Sequence, residues 1–305
     1  MTGTNVRSGV SIAVSFAIIA IAIAVAFATL TFGHTAHHYL ANGIANFLLG
    51  GAVAVALLGI ITTLRGQFGG IQDVSAALGA ALAASIATSL EELGDTVIFS
   101  NILVALIGAT LLTGLFFLLV GRFRLGNLVR FVPFPVVAGF LAATGWLILK
   151  GGLEVSSDAH LQIVELGYWI DHAHVEQAVL ALVFGAVAYL LVSRFERIAW
   201  MLPAIIIVGI LGFYVVTALL GTSIEYLEEH YWLIGPLPDE PFWEALKLPD
   251  PALLEWDVIL VQGGILTVIM VAAIALMVTQ SGLELAIERD MDAEGTRFRV
   301  RSRHP

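Results

Sequence analysis

The residues best placed to do chemistry lie in one run, Gly69-Gly70-Ile71-Gln72-Asp73-Val74-Ser75. Two glycines interrupt the backbone, and a small-residue stretch follows, Ala76-Ala77-Leu78-Gly79-Ala80-Ala81. A helix that starts afresh at such a break leaves its first N–H groups without carbonyl partners, and its dipole makes the same end positive. That end attracts anions, and broken helices at membrane depth exploit it. Ser75 adds a hydroxyl donor and Gln72 an amide. Asp73 complicates the picture, because a carboxylate repels an anion unless it is protonated or paired. It fits two roles: a group that couples a proton or cation, or a plain cap on an interfacial turn.

Other candidates are more isolated. Glu284, in Gln280-Ser281-Gly282-Leu283-Glu284-Leu285, would face a cavity and take up a proton or cation if its helix continues that far. The same residue also fits the charged set of Glu288, Arg289 and Asp290 at a membrane surface. Phe27 and Thr31 are four residues apart and share a helical face. They read either as an aromatic wall with one hydroxyl or as ordinary packing. His34, His37 and His38 have a spacing that metals can use, but no carboxylate stands near them in sequence, so a solvated loop is the expectation. No serine-nucleophile elbow, P-loop or His-Glu-x-x-His helix occurs, so no enzyme and no cofactor is expected.

The elements that must position these residues are membrane helices. Hydrophobic residues make up 59% of the 305 and charged residues only 12%, about half the charge of a soluble domain. The fold expected is all-α and polytopic, with the lipid bilayer as solvent. A net charge of -10 argues against a nucleic-acid partner. With no cysteine, disulfides and thiolate metal sites are excluded.

Eight apolar runs are long enough to cross, at about 10–32, 44–63, 72–90, 98–120, 131–149, 176–193, 199–220 and 256–280. The third is the weakest, being opened by glycines and filled with small residues. Basic residues concentrate on the cytoplasmic side of membrane proteins. With residues 1–9 inside, the inner segments hold Arg7, Arg65, Arg122, Arg124, Arg130, Arg194, Arg197, Arg289, Arg297, Arg299, Arg301 and Arg303. Only Lys150 and Lys247 fall outside. Acidic residues such as Glu91, Glu92, Asp95, Glu154, Asp158 and Glu225 gather on that outer side. Eight spans across 10–292, with both termini cytoplasmic in the cell membrane, follow from this alternation. The Arg-rich residues 293–305 read as a disordered tail.

Several stretches resemble the membrane domain of the sulfate permease (SulP, solute carrier 26) family. The clearest is Arg124-Leu125-Gly126-Asn127-Leu128-Val129-Arg130-Phe131-Val132-Pro133-Phe134-Pro135-Val136-Val137-Ala138-Gly139-Phe140. It is similar to the family's passage from the fourth span into the fifth. Ala26-Phe27-Ala28, Gly70-Ile71-Gln72-Asp73-Val74 and Ser281-Gly282-Leu283-Glu284-Leu285-Ala286 are similar to its first, third and eighth spans, with Ile71 where a proline is common.

The resemblance implies a fold of two inverted seven-span repeats, a core domain moving against a gate domain, and an anion site at the start of the third span. Carried over, spans one to four and eight form the core, and five to seven the gate. Gln72, Asp73, Val74 and Ser75 then face substrate through backbone and side chain, Phe27 walls the pocket, and Asp73 or Glu284 couples transport to an ion. The substrate expected is sulfate, bicarbonate or a similar small anion. The chain would hold the first repeat and one span of the second. It would thus be the N-terminal part of such a transporter, acting as a homodimer or with a partner that supplies the second repeat. Alternatively it would be a fragment without transport, or, ranking lower, a nucleobase-type transporter of the same fold.

Overall fold

The protein was analysed as a computed structural model, which describes residues 3–61, 70–123, 133–157, 174–195, 200–230 and 245–274, with a few single positions in the intervening loops. Among the described residues the secondary structure is helical. The long helices are α1 (Gly3–Phe32), α2 (Leu40–Ile61), α3 (Asp73–Ser89) and α4 (Asp95–Arg122). They continue with α5 (Phe134–Ser157), α6 (Val175–Arg194), α7 (Met201–Leu219) and α8 (Trp256–Ile274). Six of them, α1, α2, α4, α6, α7 and α8, are long and apolar enough to cross a membrane by length and composition. Helix α3, with 17 residues, is shorter. Glu284 and the tail lie outside the described residues.

One apolar cluster joins five helices. Phe32 of α1, Leu40 of α2, Ile86 of α3, Ile102 of α4 and Leu266 of α8 all belong to it. Close approach depends on small residues. A Cβ on Gly43 of α2 would strike the Phe32 ring, and one on Gly79 of α3 would stand 2.9 Å from the Leu106 side chain of α4. A short turn joins α3 to α4, and Gly94 there adopts φ 85°, a left-handed conformation suited to glycine. The two helices therefore run antiparallel. Helix α8 follows the direction of α4, because Glu255, just before α8, meets Asn101, and Gly263 meets Ala105 further along both.

Polar fasteners close one end of this group. Asn101, fully buried, donates to the Leu253 carbonyl at 2.8 Å and accepts from the Glu255 amide at 2.8 Å. Asn42, also buried, donates to the Ala245 carbonyl at 2.7 Å. The segment 245–255 is thus sewn onto the starts of α2 and α4. Tyr39 adds a hydroxyl contact to Thr96 at 2.8 Å, with the Lys247 ammonium over its ring.

Helices α5, α6 and α7 pack in sequence, α5 on α6 and α6 on α7. They carry their own fasteners: the His174 amide donates to the Ser157 carbonyl, and the Gln177 side chain donates to the His230 carbonyl. Helix α5 runs to Ser157, two turns past the expected end at 149. Lys150 and Glu154, expected in an outer loop segment, are helical instead. Their i,i+4 spacing pairs them at 2.7 Å, and Glu154 also accepts from the Leu161 amide. Neutralised in this way, the charges do not stop the helix.

Candidate substrate site

The opening of α3 is where the expected site residues meet. Gly70, Ile71 and Gln72 are non-helical, and the helix begins at Asp73. Its level in the fold comes from its neighbours. Ile71 reaches to 3.5 Å from where a Cβ on Gly51 would stand, and Gly51 is the middle of α2. A Cβ on Gly70 would stand 3.5 Å from the ring of Phe16, in the middle third of α1. So α3 starts halfway along its neighbours. Irregular backbone at that depth persists only where protein surrounds it or where it borders a cavity.

The local geometry explains why the helix starts there. Gln72, with extended backbone, is the cap: its side-chain oxygen accepts from the Ser75 amide at 2.8 Å and also from the Ser75 hydroxyl. The Ala76 amide takes up the first ordinary helical bond, to the Gln72 carbonyl at 2.9 Å. The amides of Asp73 and Val74 precede any available helical carbonyl, so they form the positive end of α3. The expected alternative, Asp73 as cap, is corrected. Asp73 is the first helical residue and its side chain is exposed, where an acidic group favours the dipole without capping. The Ser75 hydroxyl and Gln72 oxygen are engaged with each other, so a ligand would exchange with that bond.

Phe27 comes to this place from α1. It is buried against Ala76 and Ala77 of α3, with Leu147 of α5 at the edge of the same cluster. Val74 is buried and Gln72 and Ser75 are half-buried. Phe27, Gln72, Asp73, Val74 and Ser75 are therefore gathered around one helix start, from sequence positions nearly fifty residues apart. Thr31 is not part of it. Its hydroxyl is buried and donates to the Phe27 carbonyl of its own helix at 2.7 Å, so the pair is packing rather than a polar wall.

The histidines behave differently from expectation in one respect. A carboxylate does reach them, since His38 Nδ1 lies 2.6 Å from Asp95, 57 residues away. Both side chains are solvent-facing, and no group of metal-binding side chains forms among the described residues. Asn42, Asn101 and the Lys150–Glu154 pair are not among the expected residues. The i,i+4 spacing of opposite charges is a sequence signal for the pair, whereas the asparagines' partners are distant in sequence.

A group of apolar, membrane-length helices around a helix that begins at mid-level defines the class: a multi-pass helical membrane protein. The comparisons agree with it. The sequence model of the sulfate permease family matches residues 7–296, and the chain belongs to that family. The vacuolar basic amino acid transporter of Saccharomyces cerevisiae is 23% identical over 189 residues, which are 60% of this chain and 18% of that protein. The chain thus spans less than a fifth of that relative. No solved structure matches significantly.

Proposed function

We propose that the chain is the transport unit, or the N-terminal part of one, of a secondary-active transporter for small anions of the sulfate or bicarbonate type. One observation carries the reading: α3 begins halfway along α2, with the Asp73 and Val74 amides at its positive end and the Gln72–Ser75 pair beside them. The anion would sit there against Phe27. The chain would cross the cell membrane eight times with both termini cytoplasmic. Alternating access would move α1–α4 and α8 against α5–α7, with Asp73 or Glu284 coupling the cycle to H+ or Na+. The bilayer is its solvent, and a second copy or a chain supplying the second repeat is its partner.

The test is uptake of labelled sulfate into proteoliposomes holding the purified chain. Uptake that survives replacement of both Gln72 and Ser75 by alanine would remove the site assignment.

A second reading is favoured by Asp73. An exposed carboxylate on the first helical residue repels a simple anion, but suits a zwitterion whose carboxylate meets the amides and whose ammonium meets Asp73. Amino acids have that chemistry, and a relative is named for moving basic ones. If this holds, lysine competes with sulfate uptake or is itself taken up, and Asp73→Asn abolishes lysine uptake while sparing sulfate.

A further inference from the structure

Thr113 on α4 has a feature that packing does not explain. It is buried at 4% exposure, and its hydroxyl has no hydrogen-bond partner among the described residues. Threonines elsewhere in these helices bond to the carbonyl four residues back: Thr29 to Val25, Thr31 to Phe27 and Thr267 to Gly263. Leaving a buried hydroxyl unmatched is costly, and such orphans call for a reason.

The register of α3 on α4 shows where Thr113 lies. The helices are antiparallel, and Gly79 meets Leu106. Seven residues, or two turns, lead from Leu106 to Thr113 along the same face of α4. Six residues in the opposite sense lead from Gly79 back to Asp73, the first residue of α3, beside its cap Gln72. The two steps are rises of about 10.5 Å and about 9 Å. Thr113 therefore stands level with the opening of α3, on the side turned toward it. Phe27 flanks that opening from α1, and Thr113 flanks it from α4.

We propose that Thr113 is a substrate-contacting residue at the start of α3, its hydroxyl donating to an oxygen of a bound oxyanion or carboxylate. This rests on the reading of the α3 start as the substrate site. A ligand there would meet amide donors from Asp73 and Val74 and one hydroxyl donor from across the helix pair. The orphan hydroxyl is then a donor kept ready for the guest.

The isosteric variant Thr113→Val tests this without a folding penalty, because it removes a hydroxyl that bonds to nothing. Two readouts on the purified full chain are needed: labelled sulfate or lysine uptake, and the rise of melting temperature with added sulfate or lysine. The expected result is a Thr113→Val protein as stable as the wild type or more so without ligand. Its half-saturating concentration should rise several-fold and its ligand-induced melting shift should shrink, while Thr113→Ser retains both. Equal ligand responses in wild type and Thr113→Val overturn the proposal and leave the transport reading intact. A Thr113→Val protein less stable than the wild type without ligand shows that the hydroxyl serves the fold and also overturns it. A wild type that neither moves nor is stabilised by sulfate or lysine overturns both.

Discussion

The two helix groups hold themselves together by different means. In α1–α4 with α8, large side chains such as Phe32, Ile86 and Ile102 are fully buried, and about half of α3 is inaccessible. In α6 and α7 the buried positions are few: Gln177 and Ala178 in one, Pro203 in the other. Their apolar residues face outward, as Leu190, Val208 and Leu211 do, a surface matched to lipid. Between the groups the described contacts are mainly apolar, Leu30 against Gly151 and Phe27 against Leu147. One hydrogen bond also crosses, from the Trp200 indole to Ser11. The contrast teaches that large side chains interlock where several helices meet around α3, and not where helices pack pairwise with lipid-facing surfaces on either side. A lightly bonded apolar seam between such a body and a looser one is where relative motion costs least.

Substitutions can break or sharpen that contrast. The largest effect is expected at Asn101. Leucine there would break the two part-buried hydrogen bonds to the Leu253 carbonyl and the Glu255 amide inside a fully buried site, a loss of roughly 2–3 kcal/mol, seen as a lower melting temperature of the purified chain. Gly43→Ala should follow, at about 1–3 kcal/mol, because the Phe32 ring it would strike is fully buried and has nowhere to go. Gln72→Ala removes the α3 cap and should cost about 1 kcal/mol, together with a rise in the half-saturating substrate concentration. Gly209→Ala is expected to cost under about 0.5 kcal/mol. Its new methyl would meet the Phe184 ring at 2.7 Å, but that ring is half exposed and can swing away. Gly43 and Gly209 form the sharpest pair: each closely faces a phenylalanine, one in each group. Equal melting losses at both would dissolve the distinction.

Much of this was legible in sequence because membrane helices are written as long apolar runs. The break before α3 was legible too, since two glycines and a polar pair rarely open a helix by chance. Its cap was left open, with Asp73 as one candidate, because glutamine is an unusual capping residue beside an aspartate, and only the fold shows which side chain turns back. The end of α5 was misplaced because Lys150 and Glu154 look like loop charges until their spacing is seen to neutralise them. Asn42 and Asn101 were invisible as fasteners, because their partners lie 203 and 152 residues away and no local pattern encodes such pairing. Thr113 is plain in sequence; its missing bond is a property of the packed helices alone.

The asparagine fasteners also set a schedule for biosynthesis. Asn101 enters the nascent chain 152 residues ahead of Leu253. At about 5–20 residues per second, that is roughly 8–30 s during which the Asn101 side chain, bonded within α4 to the Val97 carbonyl, waits for its long-range partners. Its α2 counterpart waits longer still. The core group is therefore fastened last at the starts of α2 and α4, when the ribosome delivers the segment that completes them.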